Sequence, residues 1–174
     1  FAPELEKRTR RHLRPCRGPW HVDETYIRVD GEWRYLYRAV DGTGQTIDFL
    51  LSAKRDKQAA KRFFRKALGR DNTRNPRTIV TDRLKSYPGA LREMKREGEL
   101  WRFTRHRRGQ WRNNLVEQDH RRIKRRTGPM LGFQSFWTAR RTLAGVEAMA
   151  MLAKDRCVPC PGMTCRPSEP SCTR

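Results

Sequence analysis

The chain has 174 residues, with 40 Lys and Arg against 19 Asp and Glu and a formal net charge of +21. That length supports one domain with a real core, and so large a positive excess would repel itself without a polyanion, so nucleic acid is the expected partner. No stretch of about 18 apolar residues exists to span a bilayer, and no basic amphipathic helix with a continuous aromatic face supports an acidic membrane surface as the rival partner.

Residues 1–19 are basic, broken by Pro3, Pro15 and Pro19, and read as a connector; they lack the apolar core of a signal peptide. A chain opening at Phe1 reads as a fragment or a processed product. Two turn signals follow. Asp30-Gly31 separates Thr25–Val29 from Trp33–Val40, and Asp41-Gly42-Thr43-Gly44 separates that run from Gln45–Ser52. Asp-Gly between β-rich runs is a hairpin cue, so a three-stranded antiparallel meander is expected. Asp56–Leu68 carries Ala59, Ala60, Phe63, Phe64, Ala67 and Leu68 at helical spacing and ends at Gly69. Arg77–Thr81 reads as a fourth strand reached through that helix, which implies a crossover and parallel pairing.

A helix over Gly89–Glu97 and a fifth strand over Leu100–Thr104 come next. Asn113 or Asn114 suits the N-cap of the following helix, which Gly128-Pro129 breaks. The last helix is expected from Ser135 to about Lys154, with Phe136, Ala139, Leu143, Val146 and Ala150 on one face. The order β-β-β-α-β-α-β-α-α predicts an α/β, ribonuclease H-like fold with a mixed five-stranded sheet flanked by helices, over residues 20–156. Cys157, Cys160, Cys165 and Cys172 crowd the last 18 residues among several prolines. Cys157-Val-Pro-Cys160 has zinc-knuckle spacing, but so little polypeptide separates the four that 157–174 reads as a tail without fixed structure. Cys16 alone lies before this tail, which fits a reducing, cytoplasmic compartment.

Three acids stand out. Asp23 lies inside the strand-like run Trp20–Ile27, Asp82 closes the apolar run Thr78–Thr81, and Glu117 opens a basic helical run, with 34 residues between Asp82 and Glu117. Carboxylates on rigid elements of so basic a chain suggest a site that holds divalent cations against nucleic acid, where two ions about 4 Å apart clamp the oxygens of a phosphodiester. Each acid also has a plain structural reading: Asp23 as an edge-strand acid, Asp82 as an N-cap, Glu117 as a favourable charge in a first helical turn. By strand alternation, only one of Asp23 and Glu24 is expected to serve. Glu117, Arg121 and Lys124 share one stripe with His120 beside it, whereas Asp119 is expected to point away as a surface acid. Ten Lys or Arg lie from Arg102 to Arg126. Trp101 and Phe103 are expected in the core of the fifth strand, and Trp111, with Arg112 beside it, is the better candidate for a DNA contact.

The strings Trp20-His-Val-Asp-Glu-Thr-Tyr26, Tyr35-Leu-Tyr-Arg-Ala-Val-Asp41, Ile47-Asp-Phe-Leu-Leu-Ser52, Thr81-Asp82 and Asn113-Asn-Leu-Val-Glu-Gln-Asp-His-Arg121 resemble bacterial insertion-sequence transposases, most closely the insertion-sequence 6 family of the DDE group. The resemblance covers about residues 18–155. It implies a ribonuclease H-like fold, two Mg²⁺ ions with Mn²⁺ as a substitute, and transposition through a replicated cointegrate. Carried over by position, Asp23, Asp82 and Glu117 match the catalytic, metal-holding carboxylates, and Lys124 matches the basic residue that approaches the DNA end. Arg121 and Arg125 would hold phosphates, and His120 would orient Glu117 or the scissile group. Family members carry an N-terminal helix-turn-helix region, for which there is no room before Trp20, and the tail after Arg156 looks foreign to them.

The expected activity is therefore 3′-end cleavage and strand transfer of an insertion sequence, in a synaptic homodimer or larger assembly on DNA, within the bacterial nucleoid. A ribonuclease H-like nuclease and a non-catalytic DNA-binding remnant are the alternatives.

Overall fold

A computed structural model describes residues 4–6, 8, 15–16, 18–70, 73–82, 86–109, 114–128 and 132–153. Strands β1 (Trp20–Val29), β2 (Glu32–Val40) and β3 (Thr46–Ser52) form the expected meander. Its first turn places Asp30 at φ 52° and Gly31 at φ 70°, the left-handed pair that lets a two-residue turn match strand twist. Helix α1 (Lys57–Leu68) begins where the Asp56 carboxylate accepts from the Ala59 N–H at 2.7 Å. It leads to β4 (Thr78–Thr81), which pairs parallel with β1, Trp20 opposite Ile79 and Val22 opposite Thr81. Helix α2 (Ser86–Arg96), strand β5 (Arg105–Arg108), and helices α3 (Asn114–Thr127) and α4 (Phe136–Ala153) complete the order. The sheet order is β3-β2-β1-β4-β5.

Alternation along β1 divides the core into two layers. Trp20 and Val22, with Tyr37 and Ala39 of β2, pack against Ala59, Phe63 and Phe64 of α1 and Leu91 and Met94 of α2. Ile27 and Val29, with Leu36, pack against Ile123 of α3 and Leu143 of α4. Burying both faces of the sheet in this way requires helices on both sides, as a mixed sheet with a crossover provides.

Two expectations from the sequence need correction. The fifth strand is not Leu100–Thr104 but Arg105–Arg108, parallel to β4. Leu100 is buried, yet Trp101 and Phe103 are exposed and sit in a turn closed by Thr104 N–H donating to the Trp101 carbonyl at 3.0 Å. The alternating aromatics of that segment therefore pack on one another, rings 5.4 Å apart, instead of entering the core. A strand of sequence Arg-His-Arg-Arg has no apolar signal because it is a sheet edge, where charge prevents further pairing. The connector and the Cys/Pro-rich tail lie mostly or wholly outside the described residues. Among the described residues, no helix is long and apolar enough to cross a membrane.

Candidate active site

Because β4 ends at Thr81 opposite Val22, the next residue on each strand is an acid: Asp82 beside Asp23. Parallel pairing thus brings together two carboxylates 59 positions apart at the carboxyl end of β4, the position from which open α/β sheets present ligands. Glu24 joins them. Asp23, Glu24 and Asp82 each offer an oxygen within 4.8 Å of the others. Strand alternation was expected to exclude one of the first two, and it does send them to different neighbours. Asp23 faces α3, while Glu24 faces Tyr87 of α2 and Arg55, just ahead of α1. Their carboxylates nevertheless meet, because among the described residues no strand covers this edge of β1 beyond Val22.

The electrostatics follow from crowding. Burial, then the charges of Glu24, Asp82 and Glu117, push the Asp23 carboxyl up from 3.8 to about 7. Burial also raises Glu24, opposed by a 2.6 Å hydrogen bond from the Tyr87 hydroxyl, with Asp82 pushing it further up. Arg55 completes the Glu24 shell, donating from Nε at 2.7 Å and also from Nη2. Tyr87 and Arg55 were not singled out from the sequence, since their partner Glu24 lies 63 and 31 positions away in the chain.

Helix α3 turns Val116, Asp119, His120, Ile123 and Thr127 to the protein and Glu117, Arg121, Lys124 and Arg125 to solvent. Glu117 stands outside the three-acid cluster, but near enough for its charge to act on Asp23. His120 is buried, its Nδ1 3.8 Å from Asp23 Oδ2. Burial, then the neighbouring Arg38, lowers its pKa to about 3, so the ring is neutral and the approach to Asp23 is not an ion pair. His120 was expected to contact DNA or orient Glu117; its burial turns it toward Asp23 instead. Among the described residues its Nε2 has no hydrogen-bond partner. Trp111 and Arg112 lie outside the described residues.

Asp119 is not a surface acid. It is buried and ion-paired to Arg38 of β2, which also pairs with Glu147 of α4. Burial alone would lower the Arg38 pKa, but Glu147 and Asp119 outweigh it and hold the guanidinium firmly charged. This triad ties both helices of one layer to the middle of the sheet. Its signal in the sequence is an arginine inside the apolar run Tyr35–Val40, together with an acid between Val116 and Ile123 on the inward helical stripe.

A family profile described as a DDE domain matches residues 18–156. The chain belongs to that family. Within it, this domain falls in the insertion-sequence 6 group expected from its sequence. It is 34% identical over 154 residues to the transposase for insertion sequence-like element IS431mec of Staphylococcus aureus strain Mu50, covering 88% of this chain and 66% of that protein. The same figures hold for the transposase of insertion sequence element IS257 in transposon Tn4003 of S. aureus. The DDE domain thus spans just under two thirds of these relatives' length. Among solved structures it is similar to the HTLV-2 integrase catalytic core domain in complex with magnesium, with a TM-score of 0.56 and 17% identity over 79% of this chain and 86% of that one. This likeness establishes the ribonuclease H-like fold.

Proposed function

We propose that this DDE domain catalyses DNA transposition, cleaving a phosphodiester at the 3′ end of an insertion sequence and joining the freed hydroxyl to target DNA. The observation that carries the proposal is the convergence of Asp23, Glu24 and Asp82 within 4.8 Å in a chain of net charge +21. Burial, and after it the mutual repulsion of carboxylates held that close, pushes Asp23 up to about 7. A divalent cation would relieve that repulsion, and all-oxygen donors suit a hard ion such as Mg²⁺ or Mn²⁺.

Asp23, Asp82 and Glu117 would hold two such ions, with Glu117 approaching from the first turn of α3. Bound there, the ions would supply the charge that activates water or a 3′-hydroxyl and offsets the developing negative charge on phosphate. The protein's own residues do the positioning. Arg55 and Tyr87 fix Glu24. Exposed Arg121, Lys124 and Arg125, on the solvent side of the helix that carries Glu117, would hold DNA phosphates. Two element ends must be joined in one event, so the acting form would be a homodimer or larger assembly on DNA in the bacterial cytoplasm.

The test is Mg²⁺-dependent strand transfer from a pre-cleaved DNA end into a plasmid. Joined product that disappears in Glu117→Ala is the expected result. Cleavage without joining would instead identify a nuclease, and salt-sensitive binding without either reaction would identify a non-catalytic DNA-binding domain.

A further inference from the structure

The β1–β2 hairpin carries a second feature that the carboxylate chemistry does not use. On one face of the hairpin, cross-strand neighbours form a ladder: Arg28 opposite Trp33 nearest the turn, then Tyr26 opposite Tyr35, then Glu24 opposite Tyr37. The innermost rung is part of the acidic cluster. The outer rungs are uncovered, with Trp33 65% and Tyr26 41% exposed. They line a cleft of about 920 Å³ that wraps over the edge of β1 to Lys124 and Thr127 on α3 and to Phe133. Phe133 bridges to Val29 and closes the far end, its N–H donating to the Arg28 carbonyl at 3.0 Å.

We propose that this cleft binds unpaired nucleotides of the DNA strand that enters the acidic cluster. Same-face residues along a strand stand about 7 Å apart, so the two aromatic rungs offer successive ring faces leading toward Glu24. Base–aromatic stacking tolerates any sequence but needs bases freed from the duplex, since paired bases keep their faces stacked on each other. Arg28 and Lys124 add cations on opposite walls, where the phosphates between stacked bases would run. Lys124 lies on the same helical stripe as Glu117, which gives one strand a continuous path from cleft to carboxylates. Arg55 links the two as well, donating to the Tyr26 hydroxyl at 3.1 Å while it holds Glu24. A second copy of the chain is a poor occupant, because Arg28 and Lys124 would meet another strongly cationic surface. An apolar peptide would leave the same two charges unmatched.

The inference rests on the transposase reading, so the experiment separates them. Fluorescence anisotropy compares a blunt duplex with the same duplex bearing a short single-stranded extension, using the whole chain. The wild type should favour the extended DNA by about tenfold, the loss expected for one base–aromatic stack. Trp33→Ala should abolish the preference without changing blunt-duplex affinity or melting temperature, and Trp33→Phe should keep it. Equal wild-type affinity for both DNAs, or a preference that survives Trp33→Ala combined with Tyr26→Ala, overturns the cleft. Strand transfer measured alongside reports on the enzyme reading alone. A chain that joins DNA but shows no aromatic-dependent preference refutes only this inference, and one that shows the preference without joining refutes only the other.

Discussion

Replacing Arg38 by methionine tests the buried ion triad most directly. The guanidinium is 1% exposed, and its partners Asp119 and Glu147 are 4% and 1% exposed. Methionine fills most of the volume but leaves two carboxylates facing each other without a cation. Breaking one buried pair typically costs 3–5 kcal/mol, about half the stability of an ordinary domain. Both acids here lose the guanidinium, so a loss of about 4 kcal/mol or more is expected at pH 7. Without the guanidinium, burial favours the neutral form of both carboxyls in the folded variant, so protonation at low pH relieves the penalty. The deficit therefore grows as pH rises and shrinks toward pH 4. Urea denaturation of both proteins across pH 4–8 reads this directly. Converting all three positions to apolar residues, Arg38→Met with Asp119→Leu and Glu147→Leu, should recover most of the loss, because the charges vanish together. A loss under about 1 kcal/mol in Arg38→Met, or a triple variant no more stable than the single one, would refute the reasoning.

Further outcomes follow from the acidic cluster and the basic stripe. Asp23 titrates at about 7 in the fold against 3.8 as an ordinary carboxyl, so the folded state binds the extra proton and stability falls as pH rises between those values. At ~1.4 kcal/mol per pH unit the ceiling is about 4 kcal/mol. In chelator, Asp23→Asn should be more stable than wild type at pH 8 and indistinguishable near pH 4, with added Mg²⁺ raising the wild-type melting temperature more; a gap that does not change with pH contradicts this. Tyr87→Phe removes the 2.6 Å donor from buried Glu24 and should cost roughly 1–3 kcal/mol of stability in denaturant titrations. Lys124→Ala, at an exposed position, should leave stability within about 0.5 kcal/mol yet lower the salt dependence of DNA binding by about one phosphate contact.

Which parts of this domain were legible beforehand depends on where their determinants lie. The meander was legible because Asp30-Gly31 and the Asp41–Gly44 loop are local turn chemistry, and α1 because Asp56, Phe63, Phe64 and Gly69 obey one period. The juxtaposition of Asp23 and Asp82 follows once β4 is placed parallel to β1. Strand β5 was not legible: an edge strand of three arginines and a histidine has no apolar pattern to find, and the nearby Trp101 and Phe103 gave a false one. Asp119 was misjudged for a related reason. A polar residue reads as outward-facing unless its partner is known, and Arg38 is 81 positions away. Glu24 escaped because alternation describes where a side chain leaves the strand, not where a two-methylene carboxylate ends at an uncovered edge.

The charged triad at Arg38 offers something that apolar residues of equal stability would not, namely orientation. The inward stripe of α3 offers only Val116 and Ile123 as large buried aliphatic side chains among those described, and such contacts tolerate rotation and sliding of a helix. A guanidinium gripping Asp119 does not, because its donors are fixed in a plane. Asp119 lies two residues beyond Glu117 and one before His120, so the grip sets the angle at which His120 meets Asp23 and the direction in which Glu117 leaves the helix. Catalytic geometry is far more sensitive than stability, a displacement of 1 Å costing up to about 100-fold in rate. The apolar triple variant should therefore fold, bind DNA with wild-type salt dependence, and lose at least tenfold in strand-transfer rate. Wild-type transfer by that variant would show that packing alone orients α3.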